Sequence, residues 1–443
     1  MAVSPARIAA YEILLRIEEE DSYAAELLHS SQYQKLSTAD HGLATEIVMG
    51  VLRWRSLMDG QIAGHSSQKL SKLDPEVLTA LRIAAYQLMF LDRVPQHAAV
   101  HESVELVKRA RKRSAAPFAN AVLRKLINTR VSRGTEIEQA TNAAELCEAS
   151  SHPPWIVGQW VAQFGLETAR SICANDQRPP ETSVRFSSPR VEQSLEGEGI
   201  TLAPGNVLTS SRRVLSGDVI RTSAYQSGQA FFQDEASQLA ALLVGHGASF
   251  LDCCAAPGGK TRVMAQRNPQ ALVVAVELHP RRARLLADLV KEPNVRVISA
   301  DALSLPANSQ FERVLADVPC SGTGTLGRNP EIKWRLKPED LADLQGRQVA
   351  ILCAAMRQAA PGGRVVYSTC SLEREENEEV VAMALAGGLS FKVVDCREEL
   401  NRLREEGELR ADPDSLSSGP FLRTIPGVHN CDGFFAAILQ RNG

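Results

Sequence analysis

Two cysteines stand at positions where their thiols could do chemistry. Cys320 lies in DVPCSG, three residues after Asp317, and Cys370 lies in STCS, which follows the apolar run VVY. Either cysteine alone would be assigned to the core, because free cysteine is among the most buried residue types. Two thiols at the ends of neighbouring predicted strands, beside a carboxyl group, are better explained by covalent catalysis than by burial in the core. In such catalysis a thiolate attacks the substrate and an acid donates or accepts a proton.

Methylation of carbon 5 of a pyrimidine is one reaction that suits this set. A thiolate that adds to carbon 6 breaks the conjugation of the ring, and carbon 5 then becomes able to take a methyl group from a sulfonium. A carboxyl group such as Asp317 could stabilise the charge that develops at ring nitrogen 3, and a second thiol could help when the proton on carbon 5 leaves. The same addition would serve uracil as well as cytosine, so these residues alone do not choose the base.

A glycine-rich segment, LDCCAAPGGKT at 251–261, predicts a cofactor-binding turn between a strand and a helix. Glycine lets backbone N–H groups and a helix N-terminus approach a ligand closely. The segment lacks GxGxxG, so a nicotinamide cofactor is a weak interpretation. It also lacks GxxxxGK[ST], which excludes a phosphate-cradling NTPase loop.

Acidic residues recur at the ends of successive predicted strands, at Asp252, Glu277, Asp301 and Asp317. In an open α/β sheet these ends face one crevice, where Glu277 could accept both ribose hydroxyls and Asp301 an adenine amino group. This pattern fits an adenosine-containing cofactor without a phosphate chain, and S-adenosylmethionine fits better than a dinucleotide. The alternative is that these acids only cap the helices that follow the strands. That explanation is common for a single acid but less so for a series of four.

The C-terminal half predicts the scaffold that these residues need. Short apolar strands alternate with helical patterns, which is typical of a parallel, doubly wound, Rossmann-like sheet. The strands are predicted at 249–253, 272–278, 295–299, 313–317, 363–368 and 433–440. A helix is expected to begin at Ser371, which would place Cys370 at a helix N-terminus and favour its thiolate. Glu373, Glu375 and Glu376 would then point away from the site.

The first third of the chain has a different pattern. Helices are predicted to begin at Ser4-Pro5 and Asp74-Pro75 and to run through AVHESVELVKRARKRS, with no convincing strand before about residue 135. The next segment mixes a helix, HPPWIVGQWVAQFG, with two expected strands, TSVRFS and GDVIRTS. We therefore predict a multidomain protein, with an all-α domain at 1–142, a small α+β linker domain at 143–228 and an α/β domain at 229–443.

The all-α domain carries a stripe of basic residues, although the net charge of the chain is only −3. Its members have few acids between them: Lys108, Arg109, Arg111, Lys112, Arg113, Arg124, Lys125, Arg130 and Arg133. Clustered cations gain affinity for a polyanion by releasing counterions, so the stripe is as consistent with nucleic-acid binding as with a solvated helix face.

The composition of the 443 residues is that of ordinary globular protein. Nine cysteines without CxxC pairs suit reduced thiols rather than a disulfide framework or a zinc ribbon. His97 and His101 lie four residues apart on a predicted helix but lack a third ligand, so we predict no metal site. Charged and apolar residues alternate at the N-terminus, so we expect no signal peptide and no membrane span, and a cytoplasmic protein.

Several motifs together resemble the RNA 5-methylcytosine methyltransferases of the NOL/NOP/Sun class. They are CAAPGGKT, DVPCSGTG, RNPEIKW, STCS with EEN, and DGFFAA, and the helical first third is similar to the NusB-like RNA-binding domain. This combination narrows the resemblance to bacterial enzymes that methylate small-subunit ribosomal RNA. It implies a class I methyltransferase domain, S-adenosylmethionine as the cofactor, 16S rRNA as the partner, free or in a partly assembled subunit, and a monomer.

The resemblance also implies roles for individual residues. Cys370 would be the nucleophile, Cys320 would assist release of the methylated product, and Asp317 would contact both cofactor and base. Glu277 would bind the ribose, where the family often has Asp, and Asp301 would lie near the adenine. The methionine part of the cofactor would be held by a loop of seven residues: Cys254, Ala255, Ala256, Pro257, Gly258, Gly259 and Lys260.

RNA contacts are expected in two segments. One is the part of the basic stripe that comprises Lys108, Arg109, Arg111, Lys112 and Arg113. The other is GRNPEIKWR, in which Arg328, Lys333 and Arg335 could contact RNA while Trp334 stacks on a base. A packed tryptophan explains the second segment equally well.

Two other functions are compatible with parts of the sequence. In DNA cytosine methyltransferases the Pro-Cys thiol is the nucleophile, but Thr369-Cys370 and the NusB-like part favour RNA. A non-catalytic RNA-binding or antitermination factor would be expected to lose a thiol or a strand-end acid. None of Lys260, Glu277, Asp301, Asp317, Cys320 and Cys370 is lost, which favours an enzyme.

Overall fold

The chain divides into two compact units. The computed structural model describes residues 3–20, 22–33, 35–127, 135–306 and 310–443. The first unit comprises Met1–Pro179 and Leu326–Arg335, and the second comprises Pro180–Thr325 and Leu336–Gly443. The predicted domain limits differ from this division, because the limit at 142 falls inside the first unit and the limit at 228 falls inside the second.

The first unit is helical wherever the structure describes regular secondary structure in it. Pro5 and Pro75 each occupy the first turn of a helix, where their fixed φ is suitable, so the helix starts predicted at these positions are confirmed. The helices are α1 Pro5–Glu19, α2 Ala24–Leu28, α3 Thr38–Arg53, α4 Arg55–His65, α5 Pro75–Phe90, α6 Gln96–Arg109, α7 Ala116–Leu126, α8 Thr135–Gln139, α9 Ala143–Ser150, α10 Pro154–Asp176 and, later in the chain, α16 Ile332–Arg335. Ile13, Ile47 and Leu81 are fully buried where the helices pack together.

A small antiparallel sheet begins the second unit. Its strands are β1 Ser183–Phe186, β2 Thr201–Pro204, β3 Ser211–Ser216 and β4 Ala230–Phe232, in the order β2-β3-β1-β4, accompanied by α11 Pro189–Gly197 and α12 Ser223–Gln226. The strand predicted at TSVRFS is confirmed as β1. The strand predicted at GDVIRTS is wrong, because Val219–Arg221 form a 3-10 turn and Thr222 caps α12 by accepting a hydrogen bond from the backbone N–H of Tyr225.

A larger sheet forms the centre of the second unit. Its parallel strands are β5 Ser249–Asp252, β6 Leu272–Glu277, β7 Val295–Ser299, β8 Phe311–Asp317 and β9 Ala359–Thr369, in the order β9-β8-β5-β6-β7. The antiparallel strand β13 Phe434–Arg441 pairs with β9, and β10 Phe391–Val394, β11 Ser417–Ser418 and β12 Phe421–Thr424 lie beyond it. The predicted doubly wound sheet is confirmed, and its closing strand is antiparallel.

Helices connect and cover the strands of this sheet. They are α13 Glu235–Leu242, α14 Gly259–Arg267, α15 Pro280–Leu289, α17 Asp340–Gln358, α18 Glu378–Ala386 and α19 Cys396–Glu405. The strand order reverses at β5, since the chain continues to β6 on one side of it and returns as β8 on the other. Ligands of open α/β sheets bind at such a switch point, outside the carboxyl ends of the strands. No helix in the described residues is long and apolar enough to cross a bilayer.

Candidate active site

A cavity of about 320 Å³ lies at the switch point of the large sheet. It is lined by Asp252 at the end of β5, by Asp317 at the end of β8 and by the glycine-rich loop 254–260, which runs from β5 into the first turn of α14. Phe231 and Gln233, at and just after β4 of the small sheet, also line it. The structure therefore brings the predicted cofactor loop together with two of the four strand-end acids.

Gly258 sets the course of the cofactor loop. Its φ of +114° is one that side chains rarely adopt, and a Cβ there would lie 2.5 Å from Cγ2 of Val290 and 2.7 Å from Cδ1 of Leu286. Only glycine fits this position without displacing those core side chains. The chain can therefore turn tightly from β5 into α14 and leave loop backbone facing the cavity.

Asp252 carries a buried carboxyl group with unused hydrogen-bonding capacity. Its Oδ2 accepts a hydrogen bond of 2.6 Å from the hydroxyl of Thr261, whereas Oδ1 has no hydrogen-bond partner among the described residues. Burial raises the pKa of Asp252 to about 7, and the nearby charge of Asp317 acts in the same direction. A cationic ligand in the cavity would satisfy the free oxygen and favour the ionised form.

Lys260 and Asp317 form an ion pair beside Asp252. The ammonium of Lys260 lies 2.8 Å from Oδ2 of Asp317 and 4.9 Å from the centre of the Phe434 ring. Burial opposes the charge of Lys260, but the interaction with Asp317 outweighs it and raises the pKa of the ammonium. The other oxygen of Asp317, Oδ1, accepts a 2.8 Å hydrogen bond from Ser368, which orients the carboxylate and which the sequence analysis missed.

The two predicted catalytic thiols are in contact. The Sγ atoms of Cys320 and Cys370 lie 3.3 Å apart, and the backbone N–H of Cys370 points at Sγ of Cys320 at the same distance. The hydrogen bond to Cys370, followed by burial, raises the pKa of Cys320 well above its usual value. Cys320 therefore holds its proton more firmly than an ordinary thiol does. All nine cysteines of the chain are free thiols.

The turn after Cys370 differs from the prediction. No α-helix begins at Ser371, because the next helix starts at Glu378 after a 3-10 turn at 374–376. Glu376 does not point away from the site, since its side chain is fully buried and accepts hydrogen bonds from Ser321 and Ser371. Both expectations were wrong for one reason: the polar groups of this turn bond to one another instead of continuing the chain as a helix.

Asn377 fixes the same turn from the other side. Its Oδ1 accepts a 2.6 Å hydrogen bond from the hydroxyl of Thr369, and its Nδ2 donates to the carbonyl of Ser371 at 2.9 Å. Asn377 thus bonds to the residue before Cys370 and to the residue after it. Asn377 and Glu376 belong to the EEN motif, which was noted in the sequence without a structural role.

Glu277 and Asp301 do not line the cavity. Glu277 is buried at the end of β6, where Oε1 accepts from the backbone N–H of His279 at 3.0 Å. Asp301 is exposed, and its Oδ1 caps the turn 302–304 by accepting from the backbone N–H of Leu303 at 2.9 Å. The contacts of Asp301 are those of an acid that caps a turn, which was the alternative to cofactor binding. Because Asp301 also follows a strand beside the one that ends at Glu277, its role in binding the cofactor stays a prediction.

The RNA contact expected at Lys333 does not fit the structure. Lys333 is 1% exposed, and its ammonium donates 2.9 Å hydrogen bonds to the backbone carbonyls of Arg53 and Ser151 within the first unit. Burial lowers the pKa of Lys333 to about 7. Trp334 likewise uses its Nε1–H, which donates to the carbonyl of Leu52 at 2.6 Å. Lys333 is a structural anchor, and a packed tryptophan is the interpretation that fits Trp334.

The other cations of this segment are also engaged. Arg335 is half-buried and donates to the carbonyls of Ile17 and Ser22, and Arg328 is half-buried. These bonds hold the segment Leu326–Arg335 in the first unit. The expected RNA contacts of Arg328 and Arg335 stay predictions.

The basic stripe lies on the surface of the first unit. Lys108, Arg109, Arg111 and Arg113 are exposed, whereas Lys112 is half-buried. Two members have acidic neighbours, since Lys108 pairs with Glu105 at 2.7 Å and Lys112 pairs with Asp74 at 3.2 Å. Arg124 and Lys125 are exposed near the end of α7, and Arg130 and Arg133 lie outside the described residues. RNA binding by the stripe stays a prediction.

Comparison with known proteins agrees with both parts of the fold. Residues 240–440 match the family model described as 16S rRNA methyltransferase RsmB/F, and residues 4–128 match the NusB family. The chain is 30% identical over 458 residues to the probable ribosomal RNA small subunit methyltransferase B of Bacillus subtilis, with 100% of both chains covered. It is 30% identical over 457 residues to the ribosomal RNA small subunit methyltransferase B of Klebsiella pneumoniae, with 98% of both covered.

A solved structure is similar over the full length. The crystal structure of PH0851 superimposes with a TM-score of 0.80 at 23% sequence identity, and the match covers 100% of both chains. At this level of identity the likeness supports the fold.

Proposed function

Because the chain belongs to the RsmB/F family of 16S rRNA methyltransferases, we propose that it methylates carbon 5 of a cytosine in 16S rRNA through a covalent adduct with Cys370. Methylation of small-subunit rRNA with S-adenosylmethionine is the activity of the family. The choice of carbon 5 and the adduct rest on one observation, the contact of Cys320 and Cys370 at 3.3 Å in the same unit as the Lys260–Asp317 pair.

The residues of the cavity fit S-adenosylmethionine. The cofactor carries an ammonium and a sulfonium, and the cavity offers the free Oδ1 of Asp252 and the carboxylate of Asp317. Gly258 keeps the loop backbone close to the cavity, so that loop N–H groups can approach the carboxylate of the cofactor. When bound, the cofactor supplies the methyl group as an electrophile. Glu277 and Asp301 are proposed to hold its ribose and adenine.

Cys370 is proposed to open the reaction as a thiolate. Its Sγ forms a bond to carbon 6 of the base, and the electrons displaced from the ring make carbon 5 nucleophilic toward the methyl group. Asp317, oriented by Ser368, is proposed to pass to ring nitrogen 3 a proton drawn from the ammonium of Lys260, which lies 2.8 Å from its Oδ2, and so to neutralise the negative charge that develops there.

Cys320 is proposed to act in the release step. The proton on carbon 5 must move to a base, its bonding electrons restore the double bond between carbons 5 and 6, and the bond from carbon 6 to Sγ of Cys370 breaks with its electron pair returning to sulfur. The largest cause of the raised pKa of Cys320 is its hydrogen bond with Cys370. Adduct formation removes the thiolate partner, so Cys320 then gives up its own proton to solvent more readily, and the resulting thiolate can take the proton from carbon 5.

Replacing each thiol separately tests this assignment. Cys370→Ala is expected to abolish methylation and adduct formation, whereas Cys320→Ala is expected to accumulate a covalent enzyme–RNA adduct that withstands denaturing electrophoresis. Cys147→Ala, on α9 of the first unit, serves as a matched control and should behave as wild type. An adduct in the Cys370 variant but not in the Cys320 variant would reverse the roles of the thiols.

Mapping of the methylated nucleotide tests whether the target base is cytosine. Bisulfite sequencing of 16S rRNA from cells with and without the protein should show one cytosine that loses its protection in the deletion strain. Loss of a methyl group at a uridine instead would contradict the cytosine assignment, since thiolate addition serves both bases.

A further inference from the structure

Glu376 is a fully buried carboxylate that the catalytic scheme above does not use. Each of its oxygens accepts two hydrogen bonds. Oε1 accepts from the backbone N–H of Ser321 at 2.8 Å and from Nε2 of Gln348 at 2.7 Å. Oε2 accepts from the hydroxyl of Ser371 at 2.5 Å and from the hydroxyl of Ser321. A buried carboxylate is costly unless its charge meets donors, and these four bonds satisfy both oxygens.

The donors to Glu376 come from both loops that carry the thiols. Ser321 directly follows Cys320, and Ser371 directly follows Cys370. The same carboxylate therefore bonds to the residue next to each sulfur. Gln348, on α17, also donates to the carbonyl of Pro319 at 3.0 Å, so the chain is held on both sides of Cys320.

Other polar contacts in this region either hold one loop or join the two by a single bond, as the hydroxyl of Ser321 does when it donates to that of Ser371 at 3.1 Å. The side chain of Asn377 bonds to the turn of Cys370, through Thr369 and Ser371. The backbone of Gly324 donates to the carbonyl of Cys370 at 2.9 Å, but Gly324 lies four residues beyond Cys320. Glu376 joins the two loops through three hydrogen bonds, two from Ser321 and one from Ser371, so its length contributes to the spacing of the two sulfurs.

We propose that Glu376 is a positioning residue that holds the loops of Cys320 and Cys370 together, and that the release of the methylated product depends on this spacing. The proposal rests on the proposed function. Attack on carbon 6 uses Cys370 and Asp317, whereas release also needs Cys320 close to the carbon that carries the adduct. Loosening the bridge should therefore slow release more than attack.

Glu376→Asp is the informative change, because it keeps the negative charge and shortens the side chain by one methylene group. It should leave methyl transfer in the first turnover within about twofold of wild type, lower steady-state turnover by about tenfold and raise the fraction of enzyme in a covalent RNA adduct. Glu379→Asp makes the same change on an exposed residue of α18 and should leave all three quantities unchanged. Ser321→Ala removes one donor to Glu376 and should give the same pattern in weaker form, and it supplies the measurement if Glu376→Asp does not fold.

A double variant separates positioning from general stability. If Glu376 acts through Cys320, Glu376→Asp combined with Cys320→Ala should accumulate no more adduct than Cys320→Ala alone. Equal losses of first-turnover and steady-state rates without an adduct would overturn the proposal and leave Glu376 a structural residue. Additive effects in the double variant would also overturn it.

The single thiol variants run in the same assay keep the two hypotheses apart. If Cys320→Ala traps an adduct while Glu376→Asp does not, only the positioning role fails. If Cys370→Ala still forms an adduct, the proposed function itself fails.

Discussion

The affinity of the protein for S-adenosylmethionine should depend on the ionisation of Asp252. Burial raises the pKa of this carboxyl group to about 7, and its Oδ1 has no hydrogen-bond partner among the described residues. If the cationic cofactor binds the ionised form, the form that binds makes up roughly a tenth of the protein at pH 6 and roughly nine-tenths at pH 8. The association constant should therefore rise about tenfold over this range.

Isothermal titration of the full-length protein with S-adenosylmethionine at pH 6, 7 and 8, at constant ionic strength, measures this change. Asp252→Asn removes the titrating group, so its affinity should be lower at pH 8 and nearly constant with pH. Glu277→Gln is the matched control, because it removes another proposed cofactor contact and should weaken binding while keeping the pH dependence. A slope that persists in Asp252→Asn would refute the assignment, and so would a flat profile in the wild-type protein.

The same pKa shift acts on the stability of the cofactor-free protein with the opposite sign. A carboxyl group whose pKa is raised on folding favours the folded state when protonated. This contribution is fully present below the unfolded pKa of about 4 and is lost as the pH rises through about 7. Thermal unfolding of the cofactor-free wild-type protein should therefore move to lower temperature between pH 6 and 8, relative to Asp252→Asn.

Two further predictions concern the first unit. Lys333→Met leaves the carbonyl of Ser151 without its side-chain donor and removes one donor from the carbonyl of Arg53, which keeps its bond from Gln177. It should lower the free energy of unfolding by about 2 kcal/mol in urea titrations, whereas an unchanged midpoint would show that these bonds contribute nothing net. Replacing three exposed arginines of the basic stripe, Arg109, Arg111 and Arg113, by Gln should weaken RNA binding and reduce the slope of log K against log salt by about 2–3, with cofactor affinity unchanged. An unaltered slope would show that the basic stripe does not contact RNA.

The hydrophobic pattern and the turn-forming residues between apolar runs predicted most strands of the large sheet. The strand at 295–299 has the predicted limits, and the strand predicted at 313–317 begins two residues earlier, at Phe311. These strands are short apolar runs bounded by turns, so local sequence determines them. The placement of the cofactor loop and of both thiols was also predictable, because each comes just after a parallel strand. All parallel strands of such a sheet present their carboxyl ends at the same edge.

Contacts between residues far apart in sequence were not predictable in the same way. Ser371 looked like a helix start because acids follow it, yet its hydroxyl bonds to Glu376 and to Ser321, fifty residues earlier. Lys333 was expected to contact RNA as part of the loop GRNPEIKWR, yet it packs among helices of the first unit. In both cases a polar side chain found buried partners that only the fold supplies.

The absence of a helix at Ser371 changes the account of how the thiolate of Cys370 is stabilised. We propose that the ammonium of Lys260, rather than a helix N-terminus, supplies positive charge near Cys370. Burial opposes the charge of Lys260, and Asp317 and then ionised Cys370 raise its pKa. In the proposed scheme the sulfur loses its charge when it bonds to carbon 6, so one of the charges that raise the pKa of Lys260 disappears and Lys260 gives up a proton to Asp317 more readily. We therefore propose that attack by Cys370 and proton delivery to the ring by Asp317 are coupled through this one cation.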